Sequence, residues 1–212
     1  QSLDNLDLKE ADFITEEANF DDYPFIVAPA YQLVDQKLVA KWQKYVENGG
    51  NLILTCRTGQ KDRNGHFFEA NWNAPIVPLI GADVDFFDML VADVNGTIKA
   101  GNNSYKWNTW ADVLSPKQGT EVLATYDDQF YKGKAAAVTR KLGKGTITYI
   151  GAESNDGNLE RQIVRDTYSR AKVAIENLPK GVFIEWRDGF YVGVNYTNEP
   201  INLPIPQGSK IL

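Results

Sequence analysis

The chain has 212 residues, of which 43% are hydrophobic and 24% charged, as in an ordinary globular protein of one large domain or one domain with an appendage. Its formal net charge of −6 argues against nucleic acid as a partner, because phosphate binding needs a basic surface. No run approaches the roughly 18 apolar residues that span a bilayer, so no membrane partner is expected. One cysteine and one histidine exclude an internal disulfide framework and most zinc sites, so we expect no metal and no cofactor. Cysteine content does not decide the cellular location of the protein, and we favour the cytoplasm.

The first strongly patterned stretch, Tyr23 to Gly59, predicts a strand, a helix and a second strand. Phe25 to Ala28 is a short apolar run of the kind that is buried in a parallel sheet. Asp35 is the predicted N-cap of the helix, and Asn48-Gly49-Gly50 its end. The apolar face of this helix is predicted to be Leu38, Val39, Trp42, Tyr45 and Val46. Asn51 to Thr55 is the next buried strand, which completes a βαβ unit.

The middle third of the chain alternates apolar and polar residues in short runs between turns, which predicts a mainly β region. Asn95-Gly96 is typical of a hairpin turn, and Thr146 to Ile150 is the strand expected to rejoin the sheet. Asp156 is predicted to cap a long helix whose buried stripe continues to Leu178. Asp188-Gly189 lies between two alternating runs and predicts a hairpin in a small C-terminal β unit.

Cys56 follows the second buried strand directly, which is where glutamine-amidotransferase-like folds place a nucleophile. Its flanks, Thr55 and Arg57-Thr58-Gly59, lack the small residues that such a turn needs on both sides. A catalytic thiol also needs a histidine base, and the only histidine, His66, lies in the adjoining loop. We interpret Cys56 as a degenerate nucleophile position, and a Cys56-dependent amidotransferase-like hydrolase remains the alternative.

Four residues in or near predicted loops are candidates for binding or for a subunit interface. They are Arg57, His66, Trp72 and Trp107. The loop after Gly59 begins at the carboxyl end of a parallel strand, where open α/β sheets bind ligands. Tryptophan rings could stack on sugars, which keeps a sugar-binding module as a second alternative, or they could fill a core or an interface. Acidic pairs such as Asp127-Asp128 show no pattern of a glycosidase pair, so no catalytic residue is predicted.

Four segments resemble a known family in their order and spacing. Tyr23 to Gly65, Ala74 to Leu90 and Trp110 to Glu153 are similar to the trimerisation domain of glycoside hydrolase family 42 β-galactosidases. Glu185 to Pro206 resembles the small C-terminal β-domain of the same enzymes.

This resemblance implies a domain organisation and a function. It implies a flavodoxin-like, class I glutamine-amidotransferase-like sheet with helices on both faces and a β-rich insertion over residues 1–178. Residues 179–212 would form a small C-terminal β-domain that is abbreviated or cut short. The chain would be a non-catalytic oligomerisation region of an enzyme that hydrolyses terminal β-D-galactosides, or a galactoside-binding module if the loop tryptophans bind sugar. Its implied partners are two further copies in a homotrimer and the catalytic barrel of the same enzyme, which this chain lacks.

Overall fold

The computed structural model of the protein describes residues 12–69, 73–175, 178–179, 181–203, 205 and 208–210. Its helices are α1 (Gln36–Asn48), α2 (Val77–Ile80) and α3 (Asn158–Arg170). Its strands are β1 (Phe25–Ala28), β2 (Asn51–Thr55), β3 (Ala82–Asp88), β4 (Gly96–Ala100), β5 (Asn103–Pro116), β6 (Thr120–Tyr126), β7 (Ala135–Leu142), β8 (Gly145–Ile150), β9 (Ala152–Ser154), β10 (Val182–Arg187) and β11 (Phe190–Asn195).

One large mixed sheet organises the fold. Its strand order is β1-β2-β8-β7-β6-β4-β5-β3, and β9 pairs with β5 off this path. β1, β2 and β8 run parallel, whereas the other pairings are antiparallel. The predicted α/β class, the β-rich middle third and the return of the chain through β8 are confirmed. The parallel part comprises three neighbouring strands.

The two longer helices cover opposite faces of the sheet. Successive residues of a strand point to opposite faces, so β2 divides its side chains between two cores. Leu52 and Leu54 belong to the core cluster that contains Trp42 of α1, whereas Ile53 belongs to the cluster that contains Ile163 of α3. The sheet is therefore buried on both sides, as the continuous apolar run of β2 predicts.

Helix α1 begins and ends as predicted. The Asp35 carboxylate accepts a hydrogen bond from the Leu38 amide at 2.8 Å, which satisfies one of the donors that a helix start leaves unpaired. Gly49, at φ 127°, ends the helix, and the amide of Gly50 then donates to the Tyr45 carbonyl. All five apolar residues of the predicted face are buried.

The hairpin predicted at Asn95-Gly96 is wrong. β4 pairs instead with β5 through a turn at Gly101, and β3 pairs with a later part of β5, with Phe87 opposite Asp112. β5 is long enough to hold both partners. Gly96 has a packing role, because a Cβ atom there would lie 2.3 Å from Nε1 of the Trp107 indole.

Helix α3 is shorter than the sequence predicts. Gly157, with φ 72°, occupies the N-cap position, and the Asp156 carboxylate instead accepts from the Asn158 amide. The helix ends at Arg170, and Lys172 adopts a left-handed conformation at φ 60°. The predicted continuation of the buried stripe to Leu178 is therefore wrong.

The C-terminal hairpin is confirmed. β10 and β11 pair in antiparallel register around Asp188-Gly189, whose backbone adopts φ of 47° and 90°. They form a two-stranded sheet separate from the main one, and every residue of β11 is exposed. Two-stranded hairpins have little stability of their own in water.

Glu160 joins α3 to β9 and makes stability depend on pH. Its buried carboxyl accepts hydrogen bonds from the amide and the hydroxyl of Ser154. Burial raises the pKa of Glu160, although these hydrogen bonds oppose the shift. The folded state binds the Glu160 proton more tightly than the unfolded state does. The protonated carboxyl therefore stabilises the fold fully below the ordinary pKa of 4.5, and this stabilisation is lost as pH rises through the folded-state pKa.

Glu160→Gln should remove this dependence. The glutamine oxygen can still accept from the Ser154 amide, and its NH₂ group can donate to the hydroxyl, which also accepts. We expect the melting temperature of the variant to rise relative to the wild type between about pH 4 and pH 8. Differential scanning calorimetry at several pH values measures this difference, with the exposed Glu17→Gln as control. Parallel pH profiles for wild type and Glu160→Gln would contradict the assignment.

Candidate functional site

The turn after β2 carries its backbone strain on Arg57. Arg57 has φ 69°, in the left-handed region that favours glycine, whereas Cys56 does not have a positive φ. The Thr58 hydroxyl donates to the Thr55 carbonyl at 2.6 Å, and the Gly59 amide donates to the Tyr31 carbonyl. The strained position of the elbow is therefore one residue beyond the thiol.

Cys56 has the environment of a structural thiol. Its side chain is buried, and burial raises its pKa well above the usual range, with the Asp112 charge adding to the effect. His66 lies at the tip of the following loop with 79% of its side chain exposed, 3.5 Å from Asp62. A protonated thiol without a base cannot act as a nucleophile.

Asp112, on β5, is the centre of the buried polar network beside this turn. Its Oδ1 accepts from the Trp110 indole N–H at 2.8 Å. Its Oδ2 accepts from the Arg57 amide at 3.0 Å and from the Tyr149 hydroxyl at 2.6 Å. Burial raises the pKa of Asp112, and these donors oppose the rise. The carboxyl group thus fixes the strained turn to β5 and β8.

Arg57 lies on an aromatic stack rather than in an ion pair. Its guanidinium is 4.3 Å from the centre of the Trp110 ring, and Trp110 stacks on Phe87 with the centroids 4.5 Å apart and the planes at 5°. Among the residues that the structure describes, Arg57 forms no ion pair, and its buried Nε lacks a hydrogen-bond partner. Arg57 and Phe87 both pack against the Trp110 ring, so the ring is not accessible for stacking on a sugar.

The two tryptophans among the predicted candidates have different outcomes. Trp107 lies within β5, is fully buried and packs against Tyr126, so it is a core residue that neither a sugar nor a partner subunit reaches. The prediction that it lies in or near a loop and is open to a ligand is therefore wrong. Trp72 lies outside the described residues.

Arg63 holds the loop after β2, a role that sequence reasoning missed. Its guanidinium donates to both carboxylate oxygens of Glu16 at 2.8 and 2.7 Å, and its Nε donates to Asp35 at 2.9 Å. It also donates to the Leu33 carbonyl. These contacts draw together three segments that are distant in the chain, so the loop has a defined conformation beside the start of α1.

Three exposed apolar side chains, Met89, Val91 and Phe130, lie at or near the carboxyl end of β3 with the half-buried Phe86, and we call these four residues the β3-end surface. Phe130 is 85% exposed and stacks on Phe86 with the ring centroids 5.5 Å apart. The Tyr131 hydroxyl donates to Asp88 at 2.6 Å, which fixes the turn that carries Phe130 to β3. Met89 and Val91 follow in the chain and are also exposed. β3 ends the strand order, so no further strand of the sheet lies beyond it in the part of the chain that the structure describes.

The described residues offer few other sites. Within them, no group of three or more histidine, cysteine, aspartate or glutamate side chains is placed to hold a metal ion. None of the helices that the structure describes is long and apolar enough to cross a membrane.

Comparison with known families decides the classification. The family model of the β-galactosidase trimerisation domain matches residues 2–174. The chain belongs to the β-galactosidase trimerisation domain family. Cys56, the Asp112 network and the β3-end surface all lie inside the matched region, whereas the β10–β11 hairpin lies beyond it.

Relatives of this trimerisation domain are much longer proteins. A β-galactosidase of Haloferax lucentense is 31% identical over 96% of this chain, which spans 30% of that protein. The solved β-galactosidase of Halorubrum lacusprofundi is 31% identical with a TM-score of 0.79, over 87% of this chain and 27% of its own. The β-galactosidase of Bacillus circulans sp. alkalophilus, at 21% identity and a TM-score of 0.74 over 81% of this chain and 26% of its own, shares the fold. The chain thus spans between 26% and 30% of the length of these relatives.

Proposed function

We propose that this domain assembles a β-galactosidase into a homotrimer and contributes no catalytic residue. The observation that carries the proposal is the β3-end surface, which exposes aromatic and methionine side chains at the edge of the sheet. Phenylalanine and methionine are enriched at subunit interfaces. The buried thiol and the absence of a base near it among the described residues support a structural rather than a catalytic role.

The finer fold assignment also belongs to this proposal. β1, α1, β2 and β8 would be what remains of a flavodoxin-like, glutamine-amidotransferase-like sheet, with Cys56 at a vacated nucleophile position. Residues 1–178 would form the trimerisation domain, and residues 179–212 part of a small C-terminal β-domain. The exposed β11 strand supports this division, because a lone hairpin gains stability from further packing.

The names of the relatives support a proposal for the activity of the whole protein. They are named β-galactosidases, so we propose that the protein hydrolyses terminal β-D-galactosides with residues outside this chain. A catalytic barrel of about 250 residues fits within the length by which the relatives exceed this match. That barrel would be the second partner of this domain, covalently linked to it.

Phe130→Asp should disrupt the trimer. A carboxylate at the centre of an apolar contact must be buried without a partner, and truncation of such anchors commonly costs about 2 kcal/mol per contact. This corresponds to about 30-fold weaker association. Analytical ultracentrifugation of the whole protein should therefore show a shift from trimer to monomer, while circular dichroism shows a folded chain.

Val173→Asp is the matched control. Val173 is 43% exposed and lies just after α3, away from β3 in the chain. We expect this variant to assemble like the wild type. A Phe130→Asp protein that stays trimeric at low micromolar concentration would remove the β3-end surface from the interface.

A further inference from the structure

The chain before β1 contacts both α1 and the loop after β2, and ionic contacts hold it to each of them. We call residues 12–18 the strap and residues 60–68 the β2 loop. We infer that the strap and the β2 loop are one cooperative unit, in which the loop keeps its conformation only while the strap is seated on α1. The β2 loop begins at the carboxyl end of a parallel strand, where open α/β sheets bind ligands. The strap therefore controls the shape of this edge, whether or not the protein is a trimer.

Glu16 is the link between the strap and the β2 loop. Its carboxylate accepts hydrogen bonds from both terminal nitrogens of Arg63, at 2.8 and 2.7 Å, and from the Tyr31 hydroxyl. Two parallel N–H donors fix a carboxylate in direction as well as in distance. The side chains of Glu16 and Arg63 are 34% and 37% exposed, so water screens the pair only in part. The contact joins residues that are 47 positions apart in the chain.

Arg63 extends the same link to the start of α1. Its Nε donates to Oδ2 of Asp35 at 2.9 Å, while Oδ1 of Asp35 accepts from the Leu38 amide at the helix start. Arg63 itself lies in the exposed outer part of the β2 loop. Its guanidinium therefore ties the tip of the loop to two other segments, and it is in place only if Glu16 is in place.

Lys41, on α1, holds the strap from the other side. Its ammonium donates to the carbonyl oxygens of Glu16 and Ala18, the latter at 2.7 Å, and lies 4.1 Å from the centre of the Phe20 ring. These two contacts fix the backbone on either side of Glu17 and so set the direction of the Glu16 side chain. In the part of the chain that the structure describes, Lys41 shares no hydrogen bond or ion pair with the β2 loop. A change at Lys41 should therefore reach the loop through Glu16.

The strap can detach without unfolding the core. Phe20, which follows it, is buried and packs edge-on against Tyr45 with the ring centroids 6.0 Å apart, so the chain stays anchored there. Within the strap, Ile14 is half-buried and Phe13 is 87% exposed. A segment with few buried apolar contacts opens at a lower free energy than the core does. The contacts of Glu16 and Lys41 therefore decide whether the strap stays seated.

Amide hydrogen exchange of the whole protein tests the coupling. The strap is read at the Ala18 amide and the loop at the amides of Asp62 and Gly65, all of which donate to backbone carbonyls. Lys41→Met removes a contact of the strap alone, and Arg63→Gln removes a contact of the loop. Because coupling between two sites is reciprocal, we expect each variant to speed exchange about fivefold in both segments. Amides of β8 should exchange at the wild-type rate, which shows that the core is intact.

Glu17→Gln is the matched control. Glu17 is the neighbouring carboxylate of the strap, is exposed and forms no ion pair with the described residues, so both segments should exchange as in the wild type. A Lys41→Met protein in which the strap alone exchanges faster would overturn the inference. Faster exchange of the loop alone in Arg63→Gln would do the same, as would unchanged exchange of both segments in the two variants.

Glu16→Gln tests the link itself and decides the question if Lys41→Met disturbs α1. We expect this variant to speed exchange in both segments. The double variant Glu16→Gln/Arg63→Gln should exchange no faster than Arg63→Gln alone, because both substitutions remove the same contact. A double variant whose effect equals the product of the two single effects would show that Glu16 and Arg63 act separately, which contradicts the link.

Discussion

Asp112→Asn should lower the free energy of unfolding by about 3 kcal/mol, although the two side chains have nearly the same shape. The Trp110 indole donates to one oxygen of Asp112, and the Arg57 amide donates to the other. An asparagine can accept at one of these positions only, because its nitrogen donates. In either amide orientation, an N–H group therefore faces an NH₂ group inside the core. One orientation removes the acceptor of the Arg57 amide in the strained turn, and the other removes the acceptor of the Trp110 indole.

Urea unfolding followed by circular dichroism measures this loss. Asp83→Asn is the matched control, since Asp83 forms an exposed ion pair with Lys117 at 2.9 Å. Exposed pairs contribute about 0–1 kcal/mol, so this variant should unfold near the wild-type midpoint. A loss below about 1 kcal/mol for Asp112→Asn would mean that the network is not a stabilising centre.

Gly145→Ala should destabilise the fold by up to about 3 kcal/mol through steric overlap. β8 begins against the end of α1, and a Cβ atom on Gly145 would lie 2.1 Å from the Gly50 carbonyl oxygen and 2.4 Å from that of Val46. Both are backbone atoms, so no side-chain rotation relieves the contact. Either the helix end or the strand must move, and β8 is paired with both β2 and β7.

Gly119→Ala separates this overlap from the general cost of removing glycine. Gly119 has φ 83°, and a Cβ atom there would have no neighbour within 4 Å, so an alanine meets backbone strain alone. We expect a loss of about 1 kcal/mol for Gly119→Ala. Thermal unfolding of the two variants should rank Gly145→Ala as the less stable, and the reverse order would show that β8 has room beside α1.

The features predicted correctly from the sequence depend on neighbours in the chain. The cap at Asp35 and the face of α1 follow from a helical period, and the C-terminal hairpin follows from Asp188-Gly189. The buried run of β2 predicts its two covered faces. In each case the deciding contacts lie within a few residues, where spacing alone carries the information.

The errors arise where distant segments decide the structure. Asn95-Gly96 has the composition of a hairpin turn, yet Gly96 is needed because the indole of Trp107 packs on it from across the β4–β5 pair. The contacts of Asp112 to Arg57 and Tyr149 join residues 55 and 37 positions apart. A lone aspartate in the apolar run from Trp110 to Leu114 was the available signal for this network. It did not reveal the donors.

At the candidate site, too, local features were predictable from the sequence and features that depend on distant segments were not. The location of Cys56 after a buried strand was predictable, but the shift of the strained position to Arg57 depends on a hydrogen bond to β5. The β3-end surface could not be predicted, since Phe86 and Phe130 lie on different strands or turns and meet only in the folded chain.

The mass of the native protein in solution tests the proposed assembly directly. Sedimentation equilibrium of the whole protein should give three times its chain mass at every concentration from about 0.1 to 10 µM, because a stable interface does not dissociate over this range. Phe130→Asp should give one chain mass under the same conditions. A wild-type protein that sediments as a monomer at every concentration would contradict the proposal that this domain builds a homotrimer.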